Sequence, residues 1–377
     1  MAIFIYGTLL HPPLFALVSG APPGPGVPAR LPGHAVEAAP DGPWPALVPR
    51  PGAAAAGLVL DGLSPEQERR LDAYERPFGY ARAPVRLEDA SGAPLAATAW
   101  LPPPGQGRSG RDWSLAGWVR REAPEALLAA AEVDWGAADF DDAGLRRQWP
   151  MIRARAAARI RAGAAAAPAS LRRSPGPDDW ALASARPMAG AFFRLDTMRV
   201  DHRRFDGGWH RGLLREVLVG ADAALVLPYD PRRDRVLLVE QFRAGPARRG
   251  DPNPWVLEPV AGMIDAGETP AGAALRETRE EAGLVLAPGD LRPMFAAYAS
   301  PGNASDHFTA WLALADLPDG LPARGGLESE AEDIRLHVLP FARAMALLES
   351  GEVTAVPLVA MLLWLARARE ELRAGAG

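Results

Sequence analysis

Residues 262–284 read GMIDAGETPAGAALRETREEAGL. Thr269 followed by Pro270 has the form of a helix start, Thr as N-cap and Pro at the first helical position. Gly283 stands where a left-handed cap would end the helix. Between them Glu277, Glu280 and Glu281 fall three and four residues apart, and such positions are neighbours on a helix surface. Three like charges so placed repel one another and weaken the helix. A divalent cation with oxygen ligands relieves that conflict, and Mg²⁺ commonly lies between a few carboxylates and substrate phosphates. A solvated acidic helix face is the other reading of such a cluster. Ahead of the helix, Trp255-Val256-Leu257 is apolar and strand-like, and Gly262 and Gly267 bracket a tight loop. The stretch reads as strand, loop, helix.

Gly262, Glu268, Arg276-Glu277, Glu280-Glu281 and Gly283-Leu284 carry a spacing that resembles the Nudix box, the motif of hydrolases that cleave nucleoside diphosphates linked to another moiety. Thr278 stands where that family has an aliphatic residue on the core side. The resemblance extends over about 188–372, to the ADP-ribose pyrophosphatase branch. It is carried by Arg204-Phe205-Asp206-Gly207, Arg215-Glu216-Val217, Val239-Glu240-Gln241-Phe242-Arg243, Pro254-Trp255-Val256-Leu257-Glu258, Ala299-Ser300-Pro301-Gly302 and Glu330-Ala331-Glu332-Asp333-Ile334. Pro301 lies one residue off the branch's usual spacing from the box.

What this resemblance implies is a Mg²⁺ enzyme (with Mn²⁺ as a substitute) that cleaves the diphosphate of ADP-ribose or a similar ADP-sugar. Glu277, Glu280, Glu281, Glu332 and the main-chain carbonyl of Ala261 are the implied metal ligands, and Glu330 the implied base. Glu268 would support the metal shell, and Arg276 would orient the glutamates or simply tie loop to helix. Arg215 and Arg243 are candidate substrate contacts, or members of strand-edge ion pairs. Phe192 or Phe193 would stack on adenine or belong to the core. Asp306 stands where relatives often show Glu. The resemblance also implies a homodimer.

A weaker resemblance covers residues 1 to about 120. Tyr6-Gly7-Thr8-Leu9 after an opening strand, and Leu71-Asp72-Ala73-Tyr74-Glu75 with Tyr80 and Arg82, are similar to the gamma-glutamylcyclotransferase-like family. It implies a turn whose N–H groups at Tyr6, Gly7, Thr8 and Leu9 receive a substrate carboxylate, and Glu75 as acid/base. Partial burial would be needed to bring Glu75 toward neutrality.

At 377 residues, two domains are the default. The expected fold is α+β: a β-barrel with helices over 1–163, a linker over 164–185, and a Nudix α/β/α sandwich with a mixed sheet over 186–377. Ala164 to Asp179 is small, polar and Pro-rich, as linkers are. Ser64-Pro65 with Gln67 signals a helix start. Residues 20–56, rich in Pro, Gly and Ala, read as loops with short strands. Residues 113–132 and 141–163 read as helical with breaks at Pro124 and Pro150, the second with a solvated arginine face. Ala223–Leu227 and Val236–Val239 flank a turn and read as a buried hairpin.

All 41 cationic side chains counted as Lys+Arg are arginine, so cationic contacts to a substrate would be guanidinium. A net charge of -5 without a basic tail gives nucleic acid no footprint. With no cysteine, thiol nucleophiles and zinc–thiolate sites are excluded. The N-terminal apolar run lacks a positive flank and is interrupted by His11-Pro12-Pro13, and 356–366 is too short to span a bilayer. The expectation is a cytoplasmic protein without a membrane partner, acting on a small nucleoside diphosphate sugar. A cyclotransferase with an auxiliary Nudix half, and a non-catalytic nucleotide-sugar sensor, are the alternatives.

Overall fold

The computed structural model describes residues 2–40, 42, 44–103, 109–166, 169–190 and 192–375. The chain divides into two compact units, Met1–Ala165 and Ala166–Gly377.

The first unit contains β1 (Ile3–Ile5), α1 (Pro12–Ser19), β2 (Val27–Ala38), β3 (Pro45–Leu60), α2 (Pro65–Glu75), β4 (Ala81–Asp89), β5 (Pro94–Leu101), α3 (Leu115–Arg121), α4 (Ala123–Ala131) and α5 (Asp142–Ala164). The strands close into a barrel in the order β1-β3-β2-β4-β5, sealed by a parallel contact of β1 with β5 at Ile3 and Thr98. Phe4, Leu31, Leu47, Val59 and Leu87 fill it, and the helices pack a second core around Leu14, Phe15, Leu71 and Trp135. Helix α2 begins on the expected capping box: Ser64 Oγ accepts from Gln67 N, and the Gln67 side chain accepts from Ser64 N.

Three expectations for this unit fail. Where short strands were expected within 20–56, β2 and β3 are long, with 12 and 16 residues. The β2–β3 register shifts between Pro32 and His34, opposite Pro49, so the regular ladder is interrupted where these prolines have no N–H to donate. Pro150 does not break its helix; it lies inside α5. One lost backbone bond is outweighed by the burial of Leu145, Ile152 and Ala156 in the helical core. The arginine face of α5 is only partly solvated, since Arg155 is buried in an ion pair with Glu132, and Arg153 Nε donates to Glu125 at 2.6 Å.

The second unit opens with β6 (Trp180–Ala189), β7 (Arg194–Arg203) and β8 (Trp209–Val219), an antiparallel sheet of its own. Strand β6 begins inside the span read as linker, of which 167–168 lie outside the described residues. Its alanines, serine and proline carry little strand signal; pairing from Trp180–His202 to Ala189–Leu195 makes it a strand.

There follow β9 (Ala223–Asp230), β10 (Arg235–Phe242), α6 (Ala244–Arg249), β11 (Trp255–Glu258), β12 (Val260–Met263), α7 (Pro270–Ala282), β13 (Leu291–Tyr298), β14 (His307–Leu314), β15 (Arg324–Gly325), β16 (Ile334–Pro340), α8 (Phe341–Ser350) and α9 (Val356–Ala374). The sheet order is β13-β14-β9-β10-β16-β15, with β12 on β9 and β11 on β10. It is mixed, because β14 runs parallel to β9. The β9–β10 hairpin pairs only next to its turn, at Asp230–Arg235 and Tyr229–Val236. Beyond it the strands separate toward β12 and β11. Alternate residues of β9 and β10 bury on opposite faces: Leu225, Leu227 and Leu238 against α8 and α9, Val226, Leu237 and Val239 against α7. Covering both faces explains why these strands are apolar throughout. Among the described residues no helix is long and apolar enough to cross a membrane.

Candidate active sites

Helix α7 starts as its sequence signals: Thr269 Oγ1 accepts from Gly272 N at 3.0 Å, and Gly283 ends it at φ 67°. Its inward face carries Ala273, Ala274 and Ala282 to the sheet, and Thr278 with them. Thr278, where a hydroxyl replaces an aliphatic group, is fully buried and donates to the Ala274 carbonyl at 2.7 Å, so its polar atom is satisfied in the core.

Glu277 and Glu281 are also buried, at 9% and 1% exposure. Glu281 accepts from the Ala261 N–H at 3.1 Å, which fixes it to β12. Glu277 lies flat on Gly262; a Cβ there would stand 1.8 Å from its Oε1. The glycine of the box is thus the floor on which this carboxylate rests. Burial pushes Glu277 up to about 7 against the pull of Arg276, and the charges of Glu280 and Glu332 add to the rise. Burial likewise pushes Glu281 up to about 8, opposed by the Ala261 N–H, with Glu277 and Glu332 adding to it and Arg243 opposing. These mutual effects place Glu277, Glu281 and Glu332 in one another's field.

Arg276 is the hub. Its guanidinium donates to Glu268 (2.9 and 3.0 Å), Glu277 (2.6 Å), Glu280 (3.1 Å) and the Met263 carbonyl (2.9 Å). Both readings of this residue hold at once, as it orients glutamates and ties loop to helix. Among the described residues no three acidic or imidazole side chains stand grouped as a ready-made ion site. The Arg276 guanidinium pairs with both Glu277 and Glu280. The donor set still fits a hard divalent ion. It is all oxygen, and its buried members destabilise each other as anions, which a cation would reverse.

Glu332 hangs from a turn between β15 and β16. Its Oε2 accepts from Leu327 N at 3.1 Å, and Ala331 before it adopts φ 56°. Glu330 ends the short 3-10 turn Glu328–Glu330 and is exposed. Arg243, the N-cap of α6, donates to Glu258 at 2.6 Å, the ion pair anticipated as one of its two readings, and its charge reaches Glu281. Glu258 itself, to which the sequence reading gave no role, is raised by burial. Arg215 lies exposed on β8, where Nη1 donates to the Leu214 carbonyl at 2.8 Å; that contact is not with the carboxylates. Phe192 and Phe193, at 51% and 53% exposure, meet edge to face and are not core. Asp306 packs its carboxylate against Gly220.

The first unit holds a separate cavity of about 110 Å³, lined among others by Tyr6, Gly7, Thr8, Leu9 and Glu75. All five residues singled out there converge on it. Roughly 10–15 Å³ admits one water, so a small organic group has room. Tyr6 Oη donates to the Trp100 carbonyl at 2.6 Å, and Thr8 Oγ1 lies 3.5 Å from Tyr74 Oη. Glu75 lines the cavity and is partly buried; burial pushes its carboxyl up to about 8, and the Asp72 charge adds to this. Arg82 is turned away, to Glu68 and Asp72.

A stability consequence follows from Glu75. The folded protein keeps its proton up to about pH 8, whereas the ordinary value is 4.5. Between those values the folded state binds more protons than the unfolded one, so stability falls as pH rises through the window. Glu75→Gln, neutral and isosteric, should match the parent at pH 5 and exceed it at pH 9 by on the order of 1–3 kcal/mol. Urea denaturation of the N-terminal unit at both pH values checks this; equal stability of parent and variant at pH 9 would contradict it.

The NUDIX domain model matches residues 220–360, and the gamma-glutamyl cyclotransferase, AIG2-like model matches residues 3–119. The chain is 36% identical over 190 residues to the ADP-ribose pyrophosphatase of Escherichia coli (strain K12), covering 50% of this chain and 89% of that protein. To the ADP-ribose pyrophosphatase of Haemophilus influenzae (strain ATCC 51907 / DSM 11121 / KW20 / Rd) it is 36% identical over 178 residues, 46% of this chain and 80% of that one. To the GDP-mannose pyrophosphatase of Escherichia coli O1:K1 / APEC it is 32% identical over 164 residues, 43% and 82%. The buried glutamates of α7, on a mixed sheet covered on both faces, are therefore those of an enzyme of the Nudix family, and the chain belongs to that family with a gamma-glutamyl cyclotransferase-like domain ahead of it.

Proposed function

We propose that the Nudix unit hydrolyses the diphosphate of ADP-ribose, or a similar ADP-sugar, to AMP and a sugar phosphate in the cytoplasm. The observation that carries this is the burial of Glu277 and Glu281 side by side on α7, within the field of Glu332. Glu277, Glu280, Glu281, Glu332 and the Ala261 carbonyl would hold Mg²⁺, for which Mn²⁺ would substitute. When bound, such an ion neutralises phosphate oxygens and acidifies water.

The remaining work belongs to the chain. Ala261 N–H and Gly262 fix the two buried carboxylates, and Arg276 keeps Glu277 and Glu280 turned to the same side. Glu330, on an exposed turn, takes the proton of the attacking water. That water oxygen bonds to one phosphorus as the bridging P–O bond breaks, and the bridging oxygen leaves with the other phosphate. Arg243 and Arg215 bind the substrate. A homodimer is supported by the apolar side chains exposed on the β6–β8 sheet, including Trp180, Leu182, Met188 and Leu214, and it would bring Arg215 to a partner's site. A first domain over 1–163 and a Nudix domain that takes in β6 from Trp180, with the stretch between them as linker, give each chemistry its own unit.

The test is a panel of ADP-ribose, other ADP-sugars, NADH and GDP-mannose with Mg²⁺, products identified by mass. ADP-ribose should give AMP and ribose 5-phosphate fastest. No cleavage of any member would overturn the hydrolase reading, and a preference for GDP-mannose would overturn the choice of ADP-ribose.

For the N-terminal unit, the convergence of Glu75 and the Tyr6–Leu9 turn on one cavity favours a second activity, release of 5-oxoproline from γ-glutamyl compounds. Glu75 would take a proton from the α-amine as its nitrogen attacks the γ-carbonyl. It would return the proton to the amine that leaves as the amide bond breaks.

A further inference from the structure

The hairpin that joins β7 to β8 carries two histidines that no step of the proposed chemistry uses. His202 and His210 stand directly opposite one another in the β7–β8 register, so their side chains leave the same face of the sheet. Their ring centres are 5.2 Å apart, with the planes at 59°. Two imidazoles that ligate one tetrahedral ion through N–metal bonds of about 2.0–2.1 Å have ring centres roughly 5 Å apart. The observed spacing matches that of a chelating pair. His202 Nδ1–H donates to the Arg203 carbonyl at 3.3 Å, which leaves the lone pair of the neutral ring on Nε2. A carbonyl partner on the second nitrogen is the usual support of a metal-binding imidazole.

The backbone holds the pair in register. The turn between them closes through Arg204 N to the Gly208 carbonyl at 2.8 Å and Gly207 N to the Arg204 carbonyl at 3.2 Å, with Gly207 at φ 87°. Gly208 N donates to Asp206 Oδ1 at 2.9 Å. Two ligands held on one tight hairpin lose little freedom when an ion binds. The neighbouring cations are occupied. Arg203 and Arg211 lie over the Trp209 ring, 5.3 and 4.5 Å from its centre. Trp209 precedes His210 on the strand and so faces the opposite side. Arg173 and Arg203 pair with Asp179 at 3.2 and 2.9 Å, and Arg204 pairs with Asp206. Both histidines line an open cleft of about 670 Å³, which leaves room for water to complete a coordination shell. Among the described residues none of the proposed Mg²⁺ ligands lines it, and no third acidic or imidazole side chain is grouped with the pair as a ligand.

We propose that His202 and His210 form a metal site, separate from the α7 carboxylates, for a divalent ion that prefers imidazole: Cu²⁺, Ni²⁺ or Zn²⁺. The donors decide the class of ion. Two neutral nitrogens suit ions late in the first transition row, with Cu²⁺ bound most tightly. Mg²⁺, which requires oxygen ligands, gains nothing here. The ion spans β7 and β8 and clamps the end of their sheet. This inference does not depend on what the Nudix unit hydrolyses.

The test uses the full chain with one equivalent of Cu²⁺, followed by electron paramagnetic resonance and by calorimetry. The spectrum of the parent should show two imidazole nitrogens on the ion. His202→Ala and His210→Ala should each weaken binding at least tenfold and leave at most one imidazole. Glu281→Gln should keep the two-nitrogen spectrum. His210 is exposed, so His210→Ala decides the matter alone should His202→Ala disturb the fold. Zn²⁺ should raise the melting temperature of the parent by more than that of His210→Ala. A parent spectrum without imidazole nitrogen would overturn the proposal, as would parental binding or an equal Zn²⁺ shift in His210→Ala. Loss of the signal in Glu281→Gln would also overturn it, by moving the ion to the α7 carboxylates.

Discussion

Glu281→Gln should reduce Mg²⁺-dependent hydrolysis of ADP-ribose by at least about 10³-fold, a loss of about 4 kcal/mol in transition-state stabilisation. The change is close to isosteric, and a carboxamide oxygen can still accept the Ala261 N–H that Glu281 now holds. What disappears is the negative charge at a position 1% exposed, where a cation would be bound most strongly by it. The fold should not suffer. Burial and the charges of Glu277 and Glu332 already push this carboxyl up to about 8, so at pH 9 the parent carries an unfavourable buried anion that the variant lacks. Stability of the variant at pH 9 should therefore equal or exceed that of the parent in the absence of metal. Parallel kinetics and thermal melts check both parts. Hydrolysis within tenfold of the parent would remove Glu281 from the proposed ligand set.

Gly325→Ala should be the most damaging small substitution near the site. A Cβ at Gly325 would stand 1.6 Å from the carbonyl oxygen of Glu281 and 2.7 Å from its carbonyl carbon. Both are backbone atoms of α7, so no rotamer change relieves the clash. Either α7 or β15 must move. Strand β15 is short, holding to β16 through Arg324–Arg335 and Gly325–Ile334, and it leads directly into the turn that carries Glu330 and Glu332. We expect a destabilisation of about 2–4 kcal/mol. A fall in hydrolysis beyond that explained by unfolding should accompany it, because the turn would be lifted from the α7 carboxylates. Urea unfolding and kinetics at saturating Mg²⁺ measure the two effects. A variant with parental stability and kcat would show that β15 and α7 are not in close contact.

The helix that carries the site was legible because its signals are local. Thr269-Pro270 and Gly283 are short-range devices whose geometry depends on neighbouring residues, and the structure uses each of them. The box spacing also placed Arg276 correctly beside Glu268, Glu277 and Glu280. Long-range facts were harder to read. The packing of Gly325 on the Glu281 carbonyl joins residues far apart in sequence, and nothing in ARGGL announces it. Strands β2, β3 and β6 are made by their partners, which overrode proline, glycine and alanine. Helix α5 keeps Pro150 for the same reason, as the core it closes outweighs one missing bond. Trp44 and Trp149 carry no motif, and only the folded barrel unit shows them sharing a cavity with Glu75.

The most direct measurement is a Mn²⁺ titration followed by electron paramagnetic resonance, with a non-hydrolysable methylene analogue of ADP-ribose present. The account predicts saturable binding by the parent protein that is lost in both Glu277→Gln and Glu281→Gln. Retention of the same binding in those variants would contradict it, as would a parent that binds no ion with the analogue in place.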